Sequence, residues 1–247
     1  MQYLLRRKII IVIAVLKLIP LVGLAQLRTQ FNQLDHDEKL YHFCINLGFN
    51  KSHFRFTHHP QFLNPAINGD SVMTIESINS NGLNLAWLVN LNISQHFDIR
   101  TYPLNLTFSE KAFEYNLTYP DLPGGESKLT LKKVQAITLS FPVLIKFSSD
   151  RINNFKVYTI FGGKVDYDLA STANKKNAED LIKIKSVDYG VEGGIGFHLY
   201  FPFFVLTPEL KVSWGMSNLH VRNPSLKFSS NVDQINSRMI SFSLTVE

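Results

Sequence analysis

A single cysteine, Cys44, stands in the 247 residues, so no intramolecular disulfide framework exists. Charge is also scarce, at 18% Asp, Glu, Lys and Arg. Beyond residue 25 no apolar run approaches the ~20 residues that a membrane-spanning helix needs. An exported chain of this length without disulfides must be held by a large water-soluble core or by a membrane. Without a spanning helix, membrane residence leaves only a closed β-barrel.

The N-terminus supplies the case for export. Arg6, Arg7 and Lys8 precede the apolar run Ile9 to Leu16, and a second apolar stretch after Lys17 leads to Gly23-Leu24-Ala25. Small residues at the −3 and −1 positions before Gln26 fit a signal-peptidase site, and Lys17 splits the segment too soon for an anchor. The expected organisation is a signal peptide at 1–25, a periplasmic segment at 26–40 and one barrel domain at 41–247. Four of the 25 cations (Arg6, Arg7, Lys8 and Lys17) lie in that signal, leaving 21 against 20 acidic residues. The apparent basicity is therefore an export feature and gives no ground for nucleic-acid binding, which needs a clustered basic face.

What is abundant is period-2 alternation, the mark of strands with two unlike faces. Tyr41, Phe43, Ile45, Leu47 and Phe49 alternate with His42, Cys44, Asn46, Gly48 and Asn50. Comparable patterns occupy 83–94, 134–147, 187–199, 206–216 and 240–246. Segment 97–108 switches phase near Tyr102-Pro103, which predicts a bulge, and 155–168 is aromatic but ambiguous in phase. Eight strands result. Their connections alternate between long (about 50–82, 109–133, 169–185 and 217–236) and short (95–96, about 148–154 and 201–203). Long loops on one side and tight turns on the other are the asymmetry of outer-membrane barrels.

Alternation alone would also fit a soluble lipocalin-like carrier with its apolar face turned inward. Two features favour lipid outside. The non-apolar face is rich in Gly, Ser, Asn and Ala rather than Lys and Glu, unlike a solvated sheet. The apolar face carries many of the 19 Phe and 9 Tyr, as lipid-facing bands do. The fold class expected is all-β: an eight-stranded antiparallel transmembrane barrel with long extracellular loops and short periplasmic turns, its partner the outer-membrane lipid.

Eight strands leave room for side chains but not for a wide channel. Gly190, Gly194, Gly196 and Gly215 fall on the inner face and would make space for long neighbours. The inner-face charges Arg100, Lys146, Asp188, Glu192, Glu209 and Lys211 need partners there, because unpaired charge in a narrow interior is costly. Glu192 and Glu209, on adjacent strands, are expected to share Lys211 or Arg100. Such a network fills and rigidifies a barrel; a proton or ion path is the sharper alternative.

Other motifs carry less. His53, His58 and His59, with Asp35, His36, Asp37 and Glu38, match no zinc-site spacing. Gly190-x-x-Gly193-Gly194-x-Gly196 lacks the following helix and Lys-Ser/Thr of a phosphate loop. No nucleophile elbow surrounds a serine. The sequons at Asn92, Asn105 and Asn116 read as chance, the first two falling within strands. Cys44 reads as a small inner-face side chain. The chain closes on Val246-Glu247 rather than on the terminal aromatic common in such barrels. The expectation is no catalytic residue, cofactor, metal site or small-molecule substrate.

Several stretches resemble the PorT family of Bacteroidetes outer-membrane proteins: 41–50, Asp98-Ile-Arg-Thr-Tyr-Pro103, Phe141-Pro-Val-Leu-Ile-Lys146, and above all Asp188-Tyr-Gly-Val-Glu-Gly-Gly-Ile-Gly196 followed by Tyr200-Phe-Pro202 and Pro208-Glu-Leu-Lys211. The resemblance implies an eight-stranded barrel associated with the type IX secretion and gliding machinery. It further implies other secretion-machinery proteins as partners and no catalytic chemistry.

Overall fold

The computed structural model describes residues 31–60, 72–118, 127–170, 183–222, 229 and 231–247, with backbone alone at 132–135. The expected signal segment, 1–25, lies outside the described residues, as do stretches of all four long connections. Among the described residues nine strands form: β1 Tyr41–His58, β2 Val72–Ile78, β3 Ser80–Asn92, β4 Phe97–Leu117, β5 Leu129–Ser148, β6 Phe155–Asp168, β7 Val187–Tyr200, β8 Val205–Gly215 and β9 Val232–Val246.

Eight of them make a ring in the order β4-β3-β1-β9-β8-β7-β6-β5, closed by pairing of β5 back onto β4. Every pairing is antiparallel. The ninth, β2, pairs with 112–117 of β4, just beyond the stretch of β4 that holds β3. β2 and β3 thus behave as one long strand interrupted at Asn79, and the ring count is eight.

Burial inverts the pattern of a water-soluble protein. Tyr41, Phe43, Ile45, Leu47 and Phe49 on β1, and Ile240, Phe242 and Leu244 on β9, are all exposed. Arg100, Lys146, Lys164, Asp188, Glu192, Glu209 and Lys211 are all buried. Large apolar side chains outside and charged ones inside exclude a soluble carrier and require lipid around the wall.

The inversion does not hold along the whole strand length. On β4 the inward face runs Asp98, Arg100, Tyr102, Asn105, Thr107 and Ser109, then turns apolar at Phe113, Tyr115 and Leu117. The outward face runs Phe97, Ile99, Leu104, Leu106 and Phe108, then turns polar at Glu110, Glu114 and Asn116. β1 does the same: inward polar residues to Ser52 give way to Phe54 and Phe56, while outward apolar residues to Phe49 give way to Lys51, His53 and Arg55. The pleat phase is kept and the polarity of both faces swaps, so the surrounding solvent changes from lipid to water. A barrel strand crosses lipid in about 9–11 residues. β4 has 21, so roughly half of it stands beyond the membrane.

That extension corrects the expected loops. Much of 50–82 and 109–133 is strand: β1 continues to His58, β2 covers 72–78, β4 runs to Leu117 and β5 begins at Leu129. Their inner faces enclose a second core of Phe54, Val72, Ile75, Phe113, Tyr115, Leu117, Ile184, Leu219, Val232 and Ile235. Phe54 and Phe113 stack there at 5.3 Å. The long-loop end of the barrel is therefore closed by an ordinary apolar core standing in water.

The pairing shift near Tyr102-Pro103 is present: Trp87 pairs with Leu104 but Val89 with Thr101. The one extra residue turns Tyr102 fully inward, and Pro103, which lacks an N–H, needs no ladder bond there. Segment 155–168 adopts one clean phase, with Tyr158, Ile160, Lys164 and Asp166 inward.

Candidate functional site

Strand alternation aims one residue in two at the lumen, and the barrel width brings opposite walls into contact. Arg100 of β4 lies at the centre. Its Nε donates to Asn90 Oδ1 at 2.7 Å and its Nη1 pairs with Glu209 of β8 across the lumen. Tyr158 of β6 also donates its hydroxyl to Glu209, and the Arg100 guanidinium stands 5.1 Å over the Tyr158 ring. Lys211 of β8 reaches Glu192 of β7 at 2.9 Å and Glu209 at 3.7 Å. Its ammonium lies 4.6 Å from the Tyr102 ring centre and donates to the Tyr102 hydroxyl at 3.2 Å.

Four of the six lumen residues singled out from the sequence thus meet in one neutral group: Arg100, Lys211, Glu192 and Glu209. The other two do not join it. Lys146 pairs at 2.7 Å with Asp98, its direct cross-strand partner. Asp188 accepts hydrogen bonds from the backbone and hydroxyl of Ser217. Several members were not foreseen. Asp98 sits on the segment of uncertain phase, Lys164 and Asp166 pair on β6, and Tyr102 and Tyr158 supply the rings between the charges. Alternation on a correctly phased 155–168 would have found the β6 pair.

The glycines serve these side chains by close approach. A Cβ on Gly196 would come within 2.3 Å of the Tyr158 ring, and one on Gly194 within 2.9 Å of Lys211 Cγ. The lumen at lipid depth is therefore filled, with its large charges partnered and its rings stacked between them. That arrangement fills and rigidifies the wall.

A second cluster closes the turn end of the barrel. Residues 31–40 fold beneath it: the side-chain amide of Asn32 donates to Tyr200 O at 2.9 Å, Tyr200 Oη donates to Asp37 Oδ1 at 2.7 Å, and Arg151 donates to the carbonyls of Asn32 and Gln33. A 3-10 turn at His36–Glu38 then sets His36 against His42 at the start of β1 and Glu247 just past β9. The two imidazoles stack at 4.5 Å. Burial disfavours the His36 imidazolium, but Asp37 and Glu247 outweigh it and raise the ring to about 8. Burial opposes charge on Glu247 as well, yet His36 and His42 hold its carboxyl far below the usual range. No local spacing rule could have found this cluster, because Glu247 lies at the other end of the chain from His36 and His42.

The model of the outer membrane protein beta-barrel domain family matches residues 25–221. The chain belongs to that family, and it is an outer-membrane barrel. Solved structures of similar fold include OprG of Pseudomonas aeruginosa (12% identity, TM-score 0.43, covering 82% of this chain and 94% of that one). Neisserial surface protein A gives 10% identity and a TM-score of 0.41 over 84% of this chain and 99% of that one. Ail, the attachment invasion locus protein of Yersinia pestis, gives 12% and 0.37 over 83% and 96%. No curated protein matches the sequence.

Proposed function

We propose that the chain is a non-catalytic, plugged outer-membrane barrel that works through its ends, as an adhesion or partner-docking scaffold. The observation that carries this reading is the closure of the lumen at two depths. Arg100, Tyr102, Tyr158 and Glu209 are fully buried at lipid depth, and the apolar group around Phe113 and Val232 fills the part above. The strand extensions then form a rigid pedestal for the long connections, which is where a loop-borne binding surface needs support. Planar-bilayer recordings of the refolded protein test it. The expected result is no conductance steps, with attachment or partner capture lost when 61–71 or 119–126 are shortened. Steady channels would sink the scaffold reading in favour of a small pore.

A second reading places the barrel as a component or assembly factor of the type IX secretion and gliding machinery. The stretches 188–196 and 208–211 support it by their resemblance to the PorT family. Deleting the gene and measuring secreted cargo is the test: normal secretion and gliding would dismiss that role while leaving the scaffold reading intact.

A further inference from the structure

We infer that His36, His42 and Glu247 bind one divalent ion of the zinc class at the periplasmic mouth and so clip residues 31–40 to the barrel base. One donor atom from each lies within 4.8 Å of the other two. Zinc holds imidazole nitrogen and carboxylate oxygen at about 2.0–2.2 Å, which sets two ligands on one tetrahedral ion roughly 3.3 Å apart. His36 Nε2 and His42 Nδ1 both already reach Glu247 Oε1. Two imidazoles and a carboxylate are a donor set that zinc takes, leaving a fourth position for water.

Ion pairing holds the cluster together, yet some of its atoms lack a hydrogen-bond partner. The three side chains are each only 10% exposed. His36 Nε2 lies 2.9 Å from Glu247 Oε1, yet neither atom has a properly oriented hydrogen-bond partner. Buried donors and acceptors left in that state are uncommon and costly. An ion between them would satisfy all three side chains at once.

The surroundings suit such a site. Asp37 Oδ1, itself fixed by Tyr200, stands 3.9 Å from His36 Nδ1 and adds negative charge beside the ring. Cys44 Sγ donates to Glu247 Oε2 at 3.4 Å and steadies the carboxylate from behind. Two nearby cations, Lys156 and Arg151, turn to Asp37 at 3.6 and 3.9 Å. A groove of about 670 Å³ borders His36, His42 and Glu247, giving an ion and its water a way in.

Because the ligands come from the N-terminal segment, the start of β1 and the residue after β9, binding couples to docking of that segment. Zinc titrated at pH 7.5 into the refolded chain in detergent tests the site by calorimetry. One ion per chain is expected. His36→Ala, His42→Ala and Glu247→Gln should each weaken binding at least tenfold, and His58→Ala, at the far end of β1, should leave it unchanged. Heat-modifiable gel mobility reports whether each variant is folded. On the unaltered chain, zinc should slow amide exchange across residues 32–40, and cobalt(II) should give a four-coordinate visible spectrum. Absence of stoichiometric binding, equal binding by the alanine variants, or a cobalt spectrum identical to that in buffer would overturn the inference.

Discussion

Glu209 and Arg100 make the sharpest test of the lumen, because their surroundings predict unequal costs for removing either one. Replacing Glu209 with Leu leaves Arg100 fully buried beside Asn90 and the Tyr158 ring, while Lys211 keeps Glu192 at 2.9 Å. One uncompensated positive charge remains in the lumen, and breaking a buried pair in this way costs about 3–5 kcal/mol. Replacing Arg100 with Met leaves Glu209 with the Tyr158 hydroxyl and with Lys211 at 3.7 Å. Its carboxylate keeps a donor and a counter-charge, so this loss should fall at or below the lower end, about 3 kcal/mol. The double variant removes both charges and should cost less than Glu209→Leu alone, since apolar replacement of a whole buried pair is often neutral. Urea unfolding in lipid vesicles, followed by tryptophan fluorescence, gives all four corners of the cycle. Equal single losses below about 1 kcal/mol, with no coupling, would mean that water reaches Arg100 and that the lumen is not plugged.

Three further outcomes follow from other parts of the wall. Phe161, outward at mid-β6 and 62% exposed, should tolerate Arg poorly: about 2–4 kcal/mol at the bilayer midplane, whereas a water-facing site would show no loss in the same unfolding assay. Gly196→Ala sets a Cβ 2.3 Å from the Tyr158 ring and should cost about 1–3 kcal/mol through overpacking; Gly163→Ala, whose Cβ would meet nothing closer than 3.9 Å, serves as the control, and equal thermal midpoints would refute the packing argument. In the β8–β9 connection, burial holds His220 below its ordinary value of 6.5, with Arg222 adding to the effect and Asp233 opposing it. The unfolded loop therefore takes up the proton first, so stability is whole above pH 6.5 and falls as pH drops through the lower folded value. Amide exchange at Leu219 and Val221, which bond to Ile235 and Lys183, should quicken at pH 5 relative to pH 7.5 after intrinsic correction; unchanged protection would refute it.

How much of this was legible depended on whether local alternation carried the information. Residues 41–49 and 206–214 declare both strand and face, because one solvent surrounds them throughout. Beyond residue 50 the same strand continues, but lipid gives way to water and the polar and apolar faces trade places. A reading tuned to outward apolar residues therefore ends β1 eight residues early. β2 was invisible for a related reason: its inward residues Val72 and Ile75 are three apart, across a shift in pairing with β4. Asp98 was lost to the one-residue bulge at Tyr102-Pro103, which scrambles phase within its own strand. His36, His42 and Glu247 meet only once the ring closes β1 onto β9, so no reading of local pattern could join them.

The swap of polarity also explains why the lumen is built from charges at all. Buried ion pairs contribute little net stability, and apolar replacements of like volume often do as well. Their advantage is in the sequence rather than in the folded wall. A strand apolar on both faces reads as a continuous hydrophobic run, and a long enough run is held as a helix in the first bilayer it meets. A chain bound for the outer membrane must keep its strands alternating, and this one has a mean hydropathy of zero. At lipid depth the outer face has to be apolar, so the inner face must be polar, and the narrow ring then forces those polar groups to pair with one another. Above the membrane the outer face has to be polar, which frees the inner face to be Phe54, Phe113 and Tyr115. The exceptions at lipid depth, Ala86, Leu88, Leu144 and Ile160, face inward and pack around Tyr102 and Tyr158. The same constraint fills the barrel from its charged centre to its apolar top.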